Sequence, residues 1–311
     1  MTNIINKHIP VLLKETVDLL NVKSTGVYVD TTSGMGGHSA EILKHLTTGK
    51  LICIDQDSFA IEQLNNRFKD KKNVIIVKSN FSKIQEVLNS LRIAKVDGII
   101  SDLGVSSPMF DDFERGFSYK GETKLDMRMD QDQSFDAWQV VNKYSESQLI
   151  RIFKDYGEAK EAKKVAKAIV MHRLNSPIDT TSQLVEIIKN SVSKQTLHKV
   201  KHPARTYFQA IRIEVNDELN NLQNFINTAV KHLNHDGRLA IISYHSLEDR
   251  IIKNTFNKLV TSNIPIEVPI ANEKINYELI NKHPIIPSDE ELMNNHRSRS
   301  AKLRGIRYIG Q

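Results

Sequence analysis

Four short apolar runs recur at regular intervals between residues 27 and 100, and this period constrains the fold more than any other feature of the chain. The runs are rich in β-branched residues and do not alternate with polar ones, as is typical of strands buried on both faces of a parallel sheet. Residues 39–46 and 58–68, between the runs, carry apolar side chains at helical spacing, and Ser58 is placed to cap the second of these helices. We therefore expect a doubly wound α/β sheet, which binds ligands beyond the carboxyl ends of its strands. The runs comprise residues 27–30, 51–55, 74–77 and 96–100.

A glycine-rich loop follows the first run. It reads Asp30-Thr31-Thr32-Ser33-Gly34-Met35-Gly36-Gly37-His38-Ser39, and its three glycines permit a tight turn and a close approach of the backbone to a ligand. A dinucleotide fingerprint, G-x-G-x-x-G, requires a third glycine at position 39, where this chain has serine. The loop is therefore a poor cradle for a pyrophosphate. With Asp30 before it, the loop better suits a ligand that carries an amino acid, and a loop that only turns a corner is the alternative.

Two further residues stand where such a sheet would bind a nucleoside. Asp55 ends the second run, and an acid at that point can accept hydrogen bonds from both hydroxyls of a ribose. Phe81 follows the third run and would place an aromatic edge beside an adenine ring, although a phenylalanine of the core is an equal interpretation. Both NAD enzymes and enzymes with nucleoside-bearing methyl donors use an acid in the position of Asp55, so neither residue distinguishes between them.

The fourth run ends in a polar loop, Ser101-Asp102-Leu103-Gly104-Val105-Ser106-Ser107-Pro108-Met109. In a doubly wound sheet this loop faces the glycine-rich loop across the ligand cleft. Hydrogen-bond acceptors held there can direct the lone pair of a base amine, otherwise conjugated into the ring, toward a methyl donor. Asp102 and Ser106 are therefore candidate catalytic residues, with a turn acid and a capping serine as the structural alternative.

Residues 111–212 interrupt the strand–helix period. In this segment helical apolar patterns predominate, over residues 135–141, 146–156, 159–174 and 181–192. The period returns with a predicted helix over 214–232 and a strand over 238–243. We therefore expect a discontinuous α/β domain, residues 1–110 and 213–311, into which a mainly helical domain is inserted.

The chain carries 43 basic and 37 acidic residues, and the excess is concentrated in two acid-free stretches, residues 191–213 and 296–311. Two basic patches on a nearly neutral body favour a polyanionic partner, with a solvated surface as the alternative. The basic side chains are Lys194, Lys199, Lys201, Arg205 and Arg212 in the first stretch, and Arg297, Arg299, Lys302, Arg304 and Arg307 in the second.

The composition also excludes several classes of protein. The single cysteine, Cys53, cannot form an internal disulfide or a cysteine-based zinc site. The first residues lack the apolar core of a signal peptide, and no apolar run is long enough to cross a membrane. The histidines show no spacing typical of metal ligands. We expect a soluble, cytoplasmic protein without a metal.

Eight blocks between residues 8 and 304 share the motifs of one known family. Among them are Gly36-Gly37-His38-Ser39, Leu125-Asp126-Met127-Arg128-Met129-Asp130 and His202-Pro203-Ala204-Arg205-Thr206-Tyr207-Phe208-Gln209-Ala210. These blocks resemble the bacterial ribosomal RNA small subunit methyltransferase H family, whose members methylate N4 of a cytosine in 16S rRNA. The resemblance implies a doubly wound class I methyltransferase sheet with an inserted helical domain, S-adenosylmethionine as cofactor, and the small ribosomal subunit as partner.

The resemblance also assigns residues by position. It implies that the inserted domain, residues 111–212, recognises the substrate. The charge of the two basic stretches makes five of their side chains candidate RNA contacts: Arg205, Arg297, Arg299, Lys302 and Arg304. Met109 stands where the family commonly has glutamine, and a thioether cannot replace the hydrogen bonds of an amide. The implied cofactor contacts are Gly36, Gly37, His38, Asp55, Phe81, Asp102 and Met109.

Two other functions stay open. An NAD-dependent dehydrogenase would share the sheet, but Ser39 in place of the third glycine argues against it, and titration with each cofactor separates the two. A non-catalytic rRNA-binding assembly factor would keep the fold without the chemistry, and the departure at Met109 favours it. Methyl transfer to small subunits from cells that lack the protein tests that alternative. The sequence leaves open whether the chain forms a homodimer.

Overall fold

The computed structural model describes residues 9–106, 109, 113–119, 121–197, 202–261 and 275–310. Contacts within the chain divide it into two compact units: a sheet unit, residues 1–104 with 219–311, and a helical unit, residues 105–218. The structure thus divides the chain at 104 and 219, where the sequence analysis divided it at 110 and 213. Within the described residues, none of the helices combines the length and the apolar character that crossing a membrane requires.

In the described part of the chain, seven strands form one sheet: β1 (Val27–Asp30), β2 (Lys50–Asp55), β3 (Val74–Lys78), β4 (Val96–Asp102), β5 (Leu233–Ser243), β6 (Tyr277–Leu279) and β7 (Lys302–Tyr308). Their order is β3-β2-β1-β4-β5-β7-β6. Strands β1 to β5 pair in parallel, and β7 is antiparallel to both β5 and β6. The winding reverses between β1 and β4, because β2 and β3 lie on one side and β5 on the other. The expected doubly wound α/β sheet is confirmed.

The helices are, in chain order, α1 (Leu13–Leu20), α2 (Gly37–His45), α3 (Ser58–Phe68), α4 (Ile84–Ser90), α5 (Ala137–Lys143), α6 (Glu146–Asp155), α7 (Ala162–Arg173), α8 (Thr181–Ser191), α9 (Lys194–Leu197), α10 (Arg205–Asn216), α11 (Glu218–Ala229), α12 (Ser246–Val260) and α13 (Asp289–Asn294). Helices α5 to α10 belong to the helical unit, and α11 begins at its boundary. The other helices belong to the sheet unit.

Helices cover both faces of the sheet. Alternate residues of a strand point to opposite faces, so Val29 and Ile99 enter one apolar core while Tyr28 and Ile100 enter another. Helices α4, α11 and α12 contribute to the first core, and α1, α2 and α3 contribute to the second. Because both faces are covered, the central strands bury nearly all their side chains, which explains their uninterrupted apolar runs.

Helix α3 has a different cap from the one that the sequence analysis predicted. The side chain of Asp57, and not that of Ser58, accepts the N–H of Phe59 at 3.2 Å. Ser58 is the first helical residue, and its hydroxyl accepts a hydrogen bond from Lys78. A carboxylate is the more favourable cap here because its charge also interacts with the positive end of the helix dipole.

The helical unit has its own apolar core, to which α5, α6, α7, α8 and α10 contribute. The single helix predicted over 214–232 is wrong: α10 ends at Asn216, and α11 begins two residues later. Between them, Asp217 adopts a left-handed conformation with φ of 48°. The apolar spacing continues through this break, so the hydrophobic pattern alone did not reveal it.

The basic segment at the carboxyl end is a part of the sheet, because residues 302–308 form β7 between β5 and β6. Arg304 Nε lies 2.6 Å from Asp249 Oδ1, and Lys302 Nζ lies 2.8 Å from Asp249 Oδ2. The Arg304 side chain is only 10% exposed. Although burial opposes it, hydrogen bonds from both cations lower the pKa of Asp249 below its ordinary value. The positive charges of Lys302 and Arg304 are thus paired with an acid within the fold.

Asp249→Asn should lower the free energy of unfolding by about 3 kcal/mol, because it leaves the Arg304 guanidinium buried without a counter-charge. Urea denaturation at pH 7 measures the change. The pKa of Asp249 is lowered, so its contribution is present above the unfolded pKa and is lost as pH falls through the folded one. The difference between wild type and Asp249→Asn should therefore shrink in acid.

Glu278→Gln is the matched control for this pair. Glu278 lies 3.0 Å from Arg307, but the two side chains are 49% and 32% exposed. Removing this charge should cost less than about 1 kcal/mol. Equal losses of stability in the two variants would contradict the interpretation that the Asp249–Arg304 pair matters because it is buried.

Candidate active site

Three carboxylates lie at the carboxyl ends of three neighbouring parallel strands. Asp30 ends β1, Asp55 ends β2 and Asp102 ends β4. Because β1 lies between β2 and β4, the three acids converge where the winding of the sheet reverses. Doubly wound sheets bind their ligands at this point. The structure therefore brings two of the predicted site acids together and adds Asp30 to them.

The glycine-rich loop after β1 turns beside these acids. Gly34 and Gly36 have φ values of 50° and 75°, in the left-handed region that favours glycine. A Cβ atom built on Gly34 would meet no atom within 4 Å, whereas one on Gly37 would lie 2.3 Å from Cγ of Pro10. The loop thus leaves open space at Gly34, and it needs glycine at position 37 for close packing at the start of α2.

Asp55 connects the glycine-rich loop to the residues that follow β2. Its Oδ2 accepts the N–H of Gly34 at 2.8 Å, and its Oδ1 accepts the N–H of Asp57 at 2.9 Å. Burial raises the pKa of Asp55 to about 6, and these hydrogen bonds oppose the rise. A carboxylate has about four lone-pair sites, so each oxygen can still accept from a ribose hydroxyl. The predicted ribose acid therefore also holds the glycine-rich loop in place.

Phe81 begins a short 3₁₀ turn three residues after the end of β3 at Lys78. Asn80 caps this turn, and its amide donates a hydrogen bond of 2.7 Å to Gln56, the residue that follows β2. The ring of Phe81 packs edge to face against Phe225, with the ring centres 5.2 Å apart, and it is half-buried. One edge of Phe81 therefore belongs to the core, while part of the ring stays exposed.

Asp102 is held from two sides. Its N–H donates to Thr32 Oγ1 at 2.7 Å, which ties the end of β4 to the glycine-rich loop. Its Oδ1 accepts the hydroxyl of Tyr244 at 2.7 Å, and its Oδ2 lies 3.9 Å from Nδ1 of His38. His38 is buried, and its Nε2 lies 3.0 Å from the carbonyl oxygen of Val11, so we place the ring proton on Nε2. One oxygen of Asp102 is thus bound to a phenol, and the other faces an imidazole.

Burial controls the charge of this site. It raises the pKa of Asp102 to about 7 and that of Asp30 to about 6. Repulsion adds to the effect, because Asp30 raises the pKa of Asp102 and Asp55 raises that of Asp30. Hydrogen bonds from Tyr244 to Asp102 and from Ser39 to Asp30 oppose both shifts. A cation placed among the three acids would favour their ionised forms.

Three predicted site residues lie in the helical unit. Met109 is 5% exposed and packs in the apolar core of that unit, and its N–H donates to the carbonyl of Ser106 at 3.1 Å. Ser106 is half-buried, and Arg205 is exposed at the start of α10. A cofactor contact at Met109 and catalysis at Ser106 stay predictions. Outside the described residues lie Ser107, Pro108, Lys199 and Lys201.

The candidate RNA contacts beside β7 differ in their surroundings. Arg304 is buried against Asp249, and Lys302 shares the same acid. Arg297 and Arg299 are exposed in the short 3₁₀ segment before β7. The placement of Arg304 does not support the RNA contact predicted from its charge, because its guanidinium is already paired inside the fold. RNA contacts at Arg297 and Arg299, which are exposed, stay predictions.

Sequence reasoning missed the contacts of Tyr244 and Thr32 with Asp102. A signal for Tyr244 existed, because it follows a predicted strand that neighbours β4 in a doubly wound sheet. The register confirms that neighbourhood, since Asp102 stands opposite Ile242. Thr32 offered no such signal, because the direction of its side chain depends on the conformation of the glycine-rich loop.

Asp102→Asn should make the protein more stable at pH 7.5. The pKa of Asp102 is raised from 3.8 to about 7, so ionising this carboxyl in the folded state costs up to about 4 kcal/mol between those pH values. That pKa already includes the hydrogen bond from Tyr244, whose hydroxyl the amide oxygen of Asn can still accept. We expect a gain of at most about 4 kcal/mol by urea denaturation at pH 7.5, which shrinks to about 1–2 kcal/mol at pH 5 because the unfolded carboxyl stays ionised down to its pKa of 3.8.

Asp70→Asn is the control, since Asp70 is exposed and lies outside the site. It should leave stability unchanged at both pH values. A loss of stability in Asp102→Asn at pH 7.5 that exceeds its loss at pH 5 would contradict the raised pKa of Asp102.

Known proteins match this chain over nearly its whole length. The model of the MraW methylase family matches residues 5–309. A ribosomal RNA small subunit methyltransferase H of Ureaplasma urealyticum is 54% identical over 97% of this chain and 98% of its own, and one of Clostridium botulinum is 52% identical over 97% and 99%. An rRNA methylase structure from Streptococcus thermophilus aligns over 97% of this chain and 99% of its own, with a TM-score of 0.44 and 11% identity. The family match and the two relatives show that this chain belongs to the MraW methylase family, methyltransferases that depend on S-adenosylmethionine.

Proposed function

We propose that this protein transfers the methyl group of S-adenosylmethionine to the N4 amine of a cytosine in the 16S rRNA of the small ribosomal subunit. The family and the relatives named as ribosomal RNA small subunit methyltransferases support the reaction class and the rRNA substrate. Within the structure, the observation that carries the proposal is the convergence of Asp30, Asp55 and Asp102 on the glycine-rich loop, where the sheet reverses its winding.

The charge of the site suits this cofactor. S-adenosylmethionine, when bound, supplies a methyl carbon on a sulfonium, next to an ammonium group and a ribose. Carboxylates whose pKa values are raised by burial favour a cationic ligand, because its charge stabilises their ionised forms. Asp55 would accept the ribose hydroxyls, and Phe81 would pack against the adenine. Gly36, Gly37 and His38 would contact the amino-acid portion.

The same features disfavour the NAD-dependent dehydrogenase that the sequence left open. A dinucleotide places an anionic pyrophosphate at this loop, and buried acids would repel it. Ser39, in the position of the third glycine, donates a hydrogen bond of 2.6 Å to Asp30. The Ser39 hydroxyl and the Asp30 carboxylate therefore stand where the dinucleotide fingerprint has a glycine, which carries no side chain.

Asp102 has chemistry suited to a base amine. Such an amine must lose a proton when it is methylated. It is also a poor nucleophile, because its lone pair is conjugated into the ring. Oδ2 of Asp102, the oxygen that is not bound to Tyr244, can accept one N–H of the amine and then its proton. A carboxyl with a pKa of about 7 can both take up and release a proton at neutral pH. Ser106 is the second candidate acceptor for the amine.

RNA recognition is assigned to the helical unit and to the exposed basic residues. We assign substrate recognition to residues 105–218, in which Arg205 is exposed. In the sheet unit, Arg297 and Arg299 are the exposed candidates for phosphate contacts. The cytoplasm, where ribosomal subunits are assembled, is the proposed site of action.

The proposed function is tested by transfer of tritiated methyl groups to small subunits isolated from cells that lack the protein. Wild type should label the 16S rRNA at N4 of a cytosine. Asp102→Asn should slow a single turnover at saturating donor about 10²- to 10³-fold, as the loss of other electrostatic contacts does. Asp70→Asn should react at the wild-type rate. A wild type that binds the subunit without methylating it would support the assembly factor and overturn the proposal.

The RNA contacts are tested by salt dependence. Arg297→Gln combined with Arg299→Gln should reduce the slope of log affinity against log salt by about 1.4–1.8 units, since each lost phosphate contact removes about 0.7–0.9. The affinity for the methyl donor should not change. Lys71→Gln with Lys72→Gln, two exposed lysines elsewhere on the sheet unit, is the matched control. An unchanged slope in the arginine variant, measured by filter binding of small subunits, would place both arginines on a solvated surface.

A further inference from the structure

Tyr244 directly follows β5, the strand beside β4, and its hydroxyl donates a hydrogen bond of 2.7 Å to Oδ1 of Asp102. We propose that Tyr244 is a positioning residue for methyl transfer, which binds Oδ1 of Asp102 and so leaves Oδ2 to receive the proton of the target amine. The inference rests on the proposed function, because it uses the role assigned there to Asp102.

Tyr244 is itself held in place by its backbone. Its N–H donates to Oε2 of Glu248 at 2.8 Å, and the N–H of His245 donates to the same oxygen at 3.2 Å. Glu248 is 2% exposed in the first turn of α12. On the other side, the N–H of Leu103 donates to the carbonyl of Ile242 at 3.0 Å, which joins the ends of β4 and β5. The phenol and the carboxylate are therefore presented to each other by two strand ends that are bonded together.

The hydroxyl of Tyr244 remains a donor over the working pH range. Burial and the nearby Asp102 and Glu248 carboxylates raise the pKa of Tyr244 well above its ordinary value. The phenol therefore keeps its proton while the carboxyl of Asp102 gains or loses one. The contact can discriminate between the two forms of Asp102, because a donated hydrogen bond favours the ionised carboxylate.

Other groups raise the pKa of Asp102, against the effect of Tyr244, or lie near its second carboxylate oxygen, Oδ2. Burial, Asp30 of β1 and Glu248 of α12 all raise its pKa, and His38 of α2 lies 3.9 Å from Oδ2. The hydrogen bond from Tyr244 opposes burial and the two acids. Without it, Asp102 would be ionised only at higher pH, and fewer molecules would hold the proton-accepting form at pH 7. A positioning role thus predicts a shifted pH profile, whereas a purely structural role predicts a loss of rate that is the same at every pH.

The first measurement is the pH dependence of a single turnover in Tyr244→Phe, which keeps the ring and removes the hydroxyl. With donor and small subunits both saturating, the midpoint of the rise of rate with pH should move up by about one to two pH units. At the wild-type midpoint the rate should fall about 5- to 50-fold, and two pH units above that midpoint it should return to within about twofold of wild type.

The second measurement does not require methyl transfer. In protein labelled with carbon-13 at aspartate carboxyl groups, the signal of Asp102 is identified by its absence in Asp102→Asn. Its titration midpoint, without any ligand, should be about one to two pH units higher in Tyr244→Phe than in wild type.

Tyr28→Phe is the matched control. Tyr28 is also a buried tyrosine of the sheet, and its hydroxyl accepts the N–H of Lys23 at 2.7 Å, away from the strand ends that carry the acids. This variant loses a comparable hydrogen bond outside the site. Both midpoints, that of the turnover rate and that of the Asp102 carboxyl, should stay at their wild-type values.

The outcomes separate this inference from the proposed function. Upward shifts of both midpoints in Tyr244→Phe alone support the positioning role. Wild-type midpoints together with an equal loss of rate at every pH overturn it, and leave the proposed function in place. If wild type transfers no methyl group to the subunit, the proposed function fails and the positioning role fails with it, while the carboxyl titration still reports the contact itself.

Discussion

Three carboxylates share the carboxyl edge of the sheet, where Asp30 is buried and Asp55 and Asp102 are partly buried. Removing an acid from water disfavours its charge, so each acid keeps its place only where neighbouring groups donate hydrogen bonds to it. The donors are the backbone of Gly34 in the glycine-rich loop, the hydroxyl of Ser39 in the first turn of α2 and the hydroxyl of Tyr244 after β5. The hydrogen bonds that hold these segments in place are therefore the same ones that oppose the rise in the pKa values of the acids.

Strands β1 to β5 could be predicted from the sequence because each has a local apolar pattern, whereas β6 and β7 were not predicted. Strands covered on both faces read as apolar runs, and acids such as Asp55 and Asp102 are visible as the polar residues that end them. The cap of α3 at Asp57 and the break at Asp217 depend on single backbone conformations, which apolar spacing does not encode. The bond from Tyr244 to Asp102 joins residues 142 positions apart, so it required knowing which strands are neighbours.

The two units contribute different chemistry. The sheet unit contains the cluster of acids that suits a cationic methyl donor, and its residues Arg297 and Arg299 are exposed cations. The helical unit buries its apolar side chains in a core of its own, which includes Met109.

Strand β7 is the last of the described strands to be synthesised, yet it lies between β5 and β6. Until residues 302–308 leave the ribosome, β5 presents an unpaired edge, to which strands of other nascent chains can add. Asp249 likewise gains Arg304 as its counter-ion only when β7 docks. Closure of the sheet is thus a late event in synthesis, and any requirement for a chaperone should be concentrated in the interval between the appearance of β5 and that of β7.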